Sequence, residues 1–258
     1  MKRVCACSVA FLAATLLWVP SAAAQDQDGW QFRVTPYLWA MSTAGHGQLG
    51  PVPVSLDADT LTIVKGLDFS LESYVEAAKH GWVLLADTHI SKVHVDIPAT
   101  TQNGVPFADG RFTNRQVIIA AAAGRRMMTR YGLLDMYGGI RYYNIDLEAT
   151  FSGFPFLFGQ KDAWVDPIVG GRIVMPLKPK LAFALRGDIG GFHAGSKLAW
   201  MIQPTVTYQI RPKISALIGY RMLKVNRESG LGPTPFNENL FNYDVNHRGP
   251  GMGLTFAF

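Results

Sequence analysis

The chain has 258 residues, of which 48% are hydrophobic and 12% aromatic, with a mean hydropathy of +0.11 and a formal charge of +5. The longest unbroken apolar stretch beyond the N-terminal segment, Val117 to Ala123, falls far short of the roughly 18 residues that a membrane helix requires, so helical spans are excluded. The charge is dispersed and drops to +3 without Lys2 and Arg3, which argues against a nucleic-acid partner.

Lys2 and Arg3 open a short basic start, Val9 to Val19 is apolar, Pro20-Ser21 breaks the run, and Ala22-Ala23-Ala24 supplies small residues for cleavage. The pattern predicts a signal peptide over 1–24, cleaved after Ala24, and an exported domain over 25–258. Both cysteines, Cys5 and Cys7, lie within the leader and none marks a lipid attachment site. The exported chain therefore has no disulfide or thiolate-metal chemistry, and no cofactor or metal is expected.

An apolar chain without apolar blocks has spread its hydrophobicity over alternating strands. Strand candidates follow at about 30–41, 68–79, 81–97, 112–127, 131–150, 162–176, 180–190, 197–210, 213–227 and 240–258. Tight turns at Lys79-His80-Gly81, Met128-Thr129-Arg130, Leu177-Lys178-Pro179 and Arg211-Pro212 alternate with longer segments, including Pro98 to Gly110, Phe151 to Gln160 and Glu228 to Asn239. Hydrocarbon admits only helices and closed barrels, and bacterial barrels have even strand numbers, short periplasmic turns and long outer loops. The fold class is therefore all-β: a transmembrane antiparallel up-and-down barrel of about ten strands, with eight to twelve compatible, in the outer membrane. Asp59 to Gly66, in the first outer loop, could form a helical turn. The last strand carries Met252, Leu254, Phe256 and Phe258 on one face, the pattern of a terminal signal for the barrel-assembly machinery.

Period-two alternation assigns faces. Leu71, Leu84, Ile140, Leu185 and Ile218 face lipid, which places the charges Glu72, Glu76, Asp87, Asp135, Arg141, Asp166, Arg172, Arg186, Asp188 and Arg221 in the lumen, with Arg33 and Arg126 beside them. The two signs nearly cancel, which suits a salt-bridged plug better than a selective ring of one sign. Gly138-Gly139, Gly170-Gly171 and Gly219, taken as inward, would make room for long side chains. The strand over 112–127 is ambiguous, because Ile118 and Ile119 fall on opposite faces. Pro36, Pro167, Pro204 and Pro250 each delete a ladder hydrogen bond and predict bulges or strand ends. Trp30, Trp82, Phe256 and Phe258 suit a periplasmic aromatic girdle.

The segments Trp30 to Ala40, Leu67-Asp68-Phe69, Leu85-Ala86-Asp87, Gly138 to Tyr142, Trp164 to Arg172, Gly187 to Phe192 and Gly219-Tyr220-Arg221 occur in an order and spacing that resemble a family of small proteobacterial outer-membrane β-barrel proteins. The resemblance implies an eight-to-ten-strand barrel in the same broad group as OmpA-like and opacity proteins, and it implies no activity. The residues point to an integral barrel that is structural or offers a narrow, gated path to small solutes or ions. It would be a monomer whose partner is outer-membrane lipid.

Two alternatives stay open. An omptin-like protease or lipid hydrolase would need converging groups, and the pairs His94/Asp96 and Asp244/His247 have no evident nucleophile beside them, so an enzyme is not expected. A surface adhesin or ligand-binding barrel could use Phe151, Phe154, Phe156 and Phe158 as a docking loop.

Overall fold

The computed structural model describes residues 29–49, 52–97, 100–102, 105–107, 109–152, 158–230 and 241–258. In chain order the elements are β1 (Gln31–Trp39), β2 (Ser42–Leu49), β3 (Val52–Ser55), α1 (Thr60–Lys65), β4 (Leu67–Lys79) and β5 (Trp82–Ile97). Then come β6 (Thr100–Gln102), β7 (Val105–Phe107), β8 (Gly110–Thr129), β9 (Gly132–Phe151) and β10 (Phe158–Lys178). The chain closes with β11 (Leu181–Gly190), β12 (Leu198–Arg211), β13 (Ile214–Ser229) and β14 (Phe241–Ala257). The expected leader, residues 1–24, lies outside the described residues.

Ten long strands pair antiparallel in the order β1-β4-β5-β8-β9-β10-β11-β12-β13-β14, and β14 pairs back onto β1 through Arg33↔Ala257 to Trp39↔Gly251, which closes the sheet. Every tight connection, at 80–81, 130–131, 179–180 and 212–213, falls at the end that also holds Trp30 and Phe258. His80 and Gly81 both take positive φ, as a short hairpin turn demands. The opposite, loop end is more elaborate than the sequence suggests. β2 continues the line of β1 and pairs with the upper part of β14, and it folds back as a hairpin onto β3. The helical turn is present as α1, with the Asp59 carboxylate accepting from the Thr62 amide at 2.7 Å as its N-cap.

The prolines correct one expectation. No register shift falls at Pro36, Pro167, Pro204 or Pro250, so none marks a bulge, although the β1–β4 ladder ends at Pro36↔Ser73 and the β10–β11 ladder begins at Ile168, beside Pro167. All four rings stand on the outer face, and each strand continues past its lost donor. Register shifts occur instead near strand ends, at Leu67/Phe69, Pro176/Lys178 and Gln209/Arg211.

The pleat also settles β8. Ile118 is 3% exposed and points inward, whereas Ile119 is 38% exposed and points outward. Of the paired glycines, Gly139 and Gly170 face the lumen while Gly138 and Gly171 face out, because adjacent residues in a strand cannot share a side. A Cβ on Gly139 would sit 2.1 Å from the Ala121 carbonyl oxygen, and one on Gly170 2.4 Å from that of Gly187. These glycines let neighbouring strands approach closely.

Outside the barrel, polarity changes with height. On β9 the outward residues run Leu134, Met136, Ile140 and Tyr142, then Asn144, Asp146 and Glu148. On β13 they run Ile214, Ile218, Tyr220 and Met222, then Lys224, Asn226 and Glu228; on β14, upward from Phe256, they run Leu254, Met252 and Pro250, then Arg248, Asn246 and Asp244. Between the named residues the apolar run rises about 20 to 26 Å along the strands at about 3.3 Å per residue, or about 15 to 20 Å vertically at a tilt of about 40°. That is the belt of a transmembrane barrel. Above it the polarity reverses: the outward side chains are polar, and the inward ones, Tyr143, Ile145, Leu147, Leu223, Val225 and Val245, form a buried apolar core. The upper third of the barrel is a water-surrounded collar with the ordinary arrangement of a soluble protein.

Ile218→Arg, in mid-belt, should destabilise the barrel by about 2–4 kcal/mol, whereas Asn226→Arg, on the same face in the collar, should cost close to nothing. Urea unfolding in lipid vesicles measures both, and equal costs would contradict the placement of the boundary.

Candidate functional site: a layered lumen

All ten charges assigned to the lumen from the sequence do point inward, along with Arg33 and Arg126, and they gather into a layer at belt height. Glu76 accepts from Arg33 and Arg126 at 2.8 Å on one oxygen and pairs with Arg172 at 2.6 Å on the other. Asp135, fully buried, accepts from Arg126 through Nε at 2.8 Å and Nη2 at 3.0 Å, and from Arg172 Nη2 at 2.6 Å. These two carboxylates come from β4 and β9 and their arginines from β1, β8 and β10, so the cluster ties five strands. Higher up, Asp87 accepts from Arg186 at 2.7 Å and from the Tyr37 hydroxyl at 2.8 Å, with Arg221 at 3.4 Å. Arg141 Nη2 donates to both oxygens of Asp188 at 2.8 Å.

Two of the six lumen carboxylates bind something other than arginine. Glu72 pairs with His89 at 2.9 Å, and His89 in turn meets Ser91 at 3.1 Å. Asp166 accepts the Ser196 amide at 2.6 Å, while Trp164 Nε1 donates to the Ser196 hydroxyl at 2.9 Å. Together these bonds pin the β11–β12 loop, residues 191–197, into the barrel mouth.

A second layer, which the sequence reading did not foresee, lies directly above the charges. Tyr143 stacks on Trp164 with centroids 4.8 Å apart, and Trp164 meets Phe241 at 5.9 Å. Phe241 stacks on Tyr243 at 5.9 Å; Tyr243 and Trp39 both contact His247, and Trp39 also packs edge-on against His89 at 5.4 Å. Rings from β1, β5, β9, β10 and β14 therefore span the lumen. Arginines lie over two of these rings: Arg221 of the charge layer 4.9 Å over Trp39, and Arg227, bonded to Asp162 on the loop side, 5.2 Å over Trp164. The signal was legible in principle, since Tyr143, Trp164 and Tyr243 share the inward parity of the charges. Only neighbouring strands brought side by side show that the rings touch.

Two cavities flank this double layer. The lower, about 270 Å³, opens toward the turn end and is lined on one wall by Arg33, Arg126, Arg172 and Arg186 with Glu76 and Asp87, and on the other by hydroxyl and small side chains such as Thr205, Thr207, Ser215 and Ala184. The upper, about 260 Å³, lies inside the collar beneath α1 and the β2–β3 hairpin.

The pairs considered for catalysis are separated. Asp244 faces out and pairs with Lys224, whereas His247 is buried inside between the Tyr243 hydroxyl at 2.9 Å and the Thr43 hydroxyl at 3.1 Å. His94 faces out and pairs with Asp68 at 2.9 Å, and Asp96 pairs with Arg111 at 2.8 Å. Of the proposed docking loop, Phe151 ends β9, Phe154 and Phe156 lie outside the described residues, and Phe158 begins β10 with its side chain undescribed. Met252, Leu254 and Phe258 stand exposed on the outer face, and Phe256 is partly exposed beside them.

No family model matches the chain, and no curated protein matches it. Among solved structures it overlaps the translocator domain of the autotransporter NalP from Neisseria meningitidis at a TM-score of 0.44, with 10% identity over 90% of each chain. It overlaps the Pseudomonas putida toluene transporter TodX at a TM-score of 0.29, with 8% identity over 89% of each chain. For the Acinetobacter baumannii outer membrane protein Omp33 the values are 0.25 and 14%, over 90% of this chain and all of that one, 100%. Overlaps this loose carry no role across; the closed sheet described above defines the architecture by itself.

Removing one partner of a buried pair strands the other in low dielectric. Asp135→Asn should therefore cost about 3–5 kcal/mol in urea unfolding, whereas Asp146→Asn, whose partner Arg115 is half in water, should cost no more than about 1 kcal/mol. Similar losses for the two variants would count against the network as a stabilising element.

Proposed function

We propose that this chain is an integral outer-membrane protein whose barrel is closed at rest, serving as a structural element that holds a folded collar above the outer leaflet. The observation that carries the reading is the double layer: a charge-balanced set of ion pairs with an aromatic layer on top, lying across the lumen between a cavity at the turn end and one in the collar. Inward charges beneath an apolar belt support membrane insertion, and loop-length alternation with both described ends at the turn side supports an orientation with turns in the periplasm. The order of motifs resembling the small proteobacterial barrel family agrees with that placement. Met252, Leu254, Phe256 and Phe258 serve as the terminal signal for the assembly machinery. In this reading the protein works as a monomer in lipid without a catalytic role; the two pairs weighed for one do not converge, since Asp244 and His247 lie on opposite faces and His94 and Asp96 are each taken up in a surface ion pair.

Reconstitution into planar bilayers tests the closed state. The native protein should give no discrete conductance steps, and an Arg186→Ala/Arg221→Ala variant should stay silent too, since the aromatic layer remains above the loosened charges. Regular steps from the native barrel would overturn the proposal in favour of a solute path.

A further inference from the structure

We infer that the collar cavity is a binding site for a small uncharged molecule, mostly apolar, that carries one hydrogen-bonding group. The inference is independent of whether the layers below conduct. The cavity measures about 260 Å³, and its apolar walls come from Met41, Leu56, Ile63, Val93 and Phe112. An apolar cavity of about 150 Å³ holds a benzene ring, so this one has room for about ten non-hydrogen atoms by simple proportion. A merely under-packed core would be lined by hydrocarbon alone. Here two amides, Asn114 and Gln116, reach the wall.

Gln116 is 2% exposed and its side-chain oxygen has no hydrogen-bond partner, while its nitrogen makes only a long 3.5 Å contact to the Tyr243 hydroxyl. The buried side-chain oxygen of Asn114 also lacks a partner. A buried amide left unpaired is costly, and either orientation of the group offers a ligand a hydrogen bond. Both amides lie on β8, two residues apart and thus on one face, at the side of the cavity away from the loop roof. Apolar walls converging on a small polar patch are the usual make-up of a small-molecule site.

Charge narrows the class. Among the described residues no lysine or arginine lines the cavity, and the one ionisable group at its rim is Asp57. The Ser55 hydroxyl donates to Asp57 at 2.7 Å and the Gly45 amide at 2.9 Å, which hold its carboxyl below the usual range and keep it ionised. Carboxylates and phosphates are disfavoured there, and a phenol, alcohol or neutral N–H compound is favoured. The roof is the β2–β3 hairpin with α1, from which Ile63 is the buried contact, and the Gly66 carbonyl after α1 accepts the His94 amide at 2.8 Å to hold roof to wall.

The test uses the full mature barrel in lipid nanodiscs, with empty nanodiscs as the blank for partitioning, and 1-naphthol as the probe. The native protein should bind it saturably at one site. Gln116→Leu should weaken binding about tenfold, the value of one hydrogen bond. Ala149→Phe, which fills the cavity, should weaken it at least about tenfold, and 1-naphthoate should bind about tenfold less tightly than 1-naphthol to the native barrel. Heat-modifiable gel migration shows which variants are folded, and the naphthoate comparison needs no variant. No saturable binding above the blank, or equal binding of the two probes, would overturn the inference. So would binding that emerges only when Phe154, Phe156 and Phe158 are replaced by Ser, which would assign the cavity to the chain's own loop.

Discussion

Pairing of β1 with β14 is the constraint on which everything else in this molecule rests. Once the first and last long strands share a ladder, the sheet has no edge, and each residue of a strand faces either the enclosed space or the surroundings. From that point the fate of a side chain depends on two coordinates, its parity along the pleat and its height on the barrel. Gly139, Gly170 and the inward Gly249, where a Cβ would sit 2.0 Å from the Ala40 carbonyl oxygen, let the strands come close enough for closure.

Height matters because the solvent outside changes while the pleat does not. In the belt, lipid takes the apolar side chains and the lumen must accept charges, which survive there only in pairs. Arginine suits this task, since its fork can serve two carboxylates at once, as Arg126 and Arg172 do for Glu76 and Asp135. In the collar, water takes the polar side chains and the lumen becomes an ordinary hydrophobic core. The aromatic layer sits where the two regimes meet. Its rings present apolar faces to the collar, while Tyr243, His247 and Trp164 still reach polar partners at the seam.

This division of labour separates stability from display. The ion pairs and rings reach across the lumen and tie strands together, and the loop end above them carries a hairpin, a helix and a cavity. The prolines fit the same logic. A closed sheet tolerates the loss of isolated ladder bonds at Pro36, Pro167, Pro204 and Pro250, because each ring projects outward into the apolar belt and the register on either side is held by unbroken pairs.

The ten long strands, the four tight turns, the helical turn after Asp59 and the shared parity of the charged residues were legible in the sequence, because local alternation and turn chemistry are properties of neighbours along the chain; the β2–β3 hairpin was not. Alternation says which residues share a side; it does not say which side is inside. At Ile118 and Ile119 the pattern was mute, and the expectation that Gly138 and Gly139 both face inward fails, because neighbours on a strand face opposite sides. In the collar, Asn144, Asp146 and Glu148 alternate with Tyr143, Ile145 and Leu147 as cleanly as residues in the belt do, with the sense reversed. Only the tertiary structure decided where the reversal falls, that the rings of five strands meet across the lumen, and that a cavity remains above them. Those outcomes depend on register between strands distant in sequence, and on what liquid lies outside each level of the closed sheet.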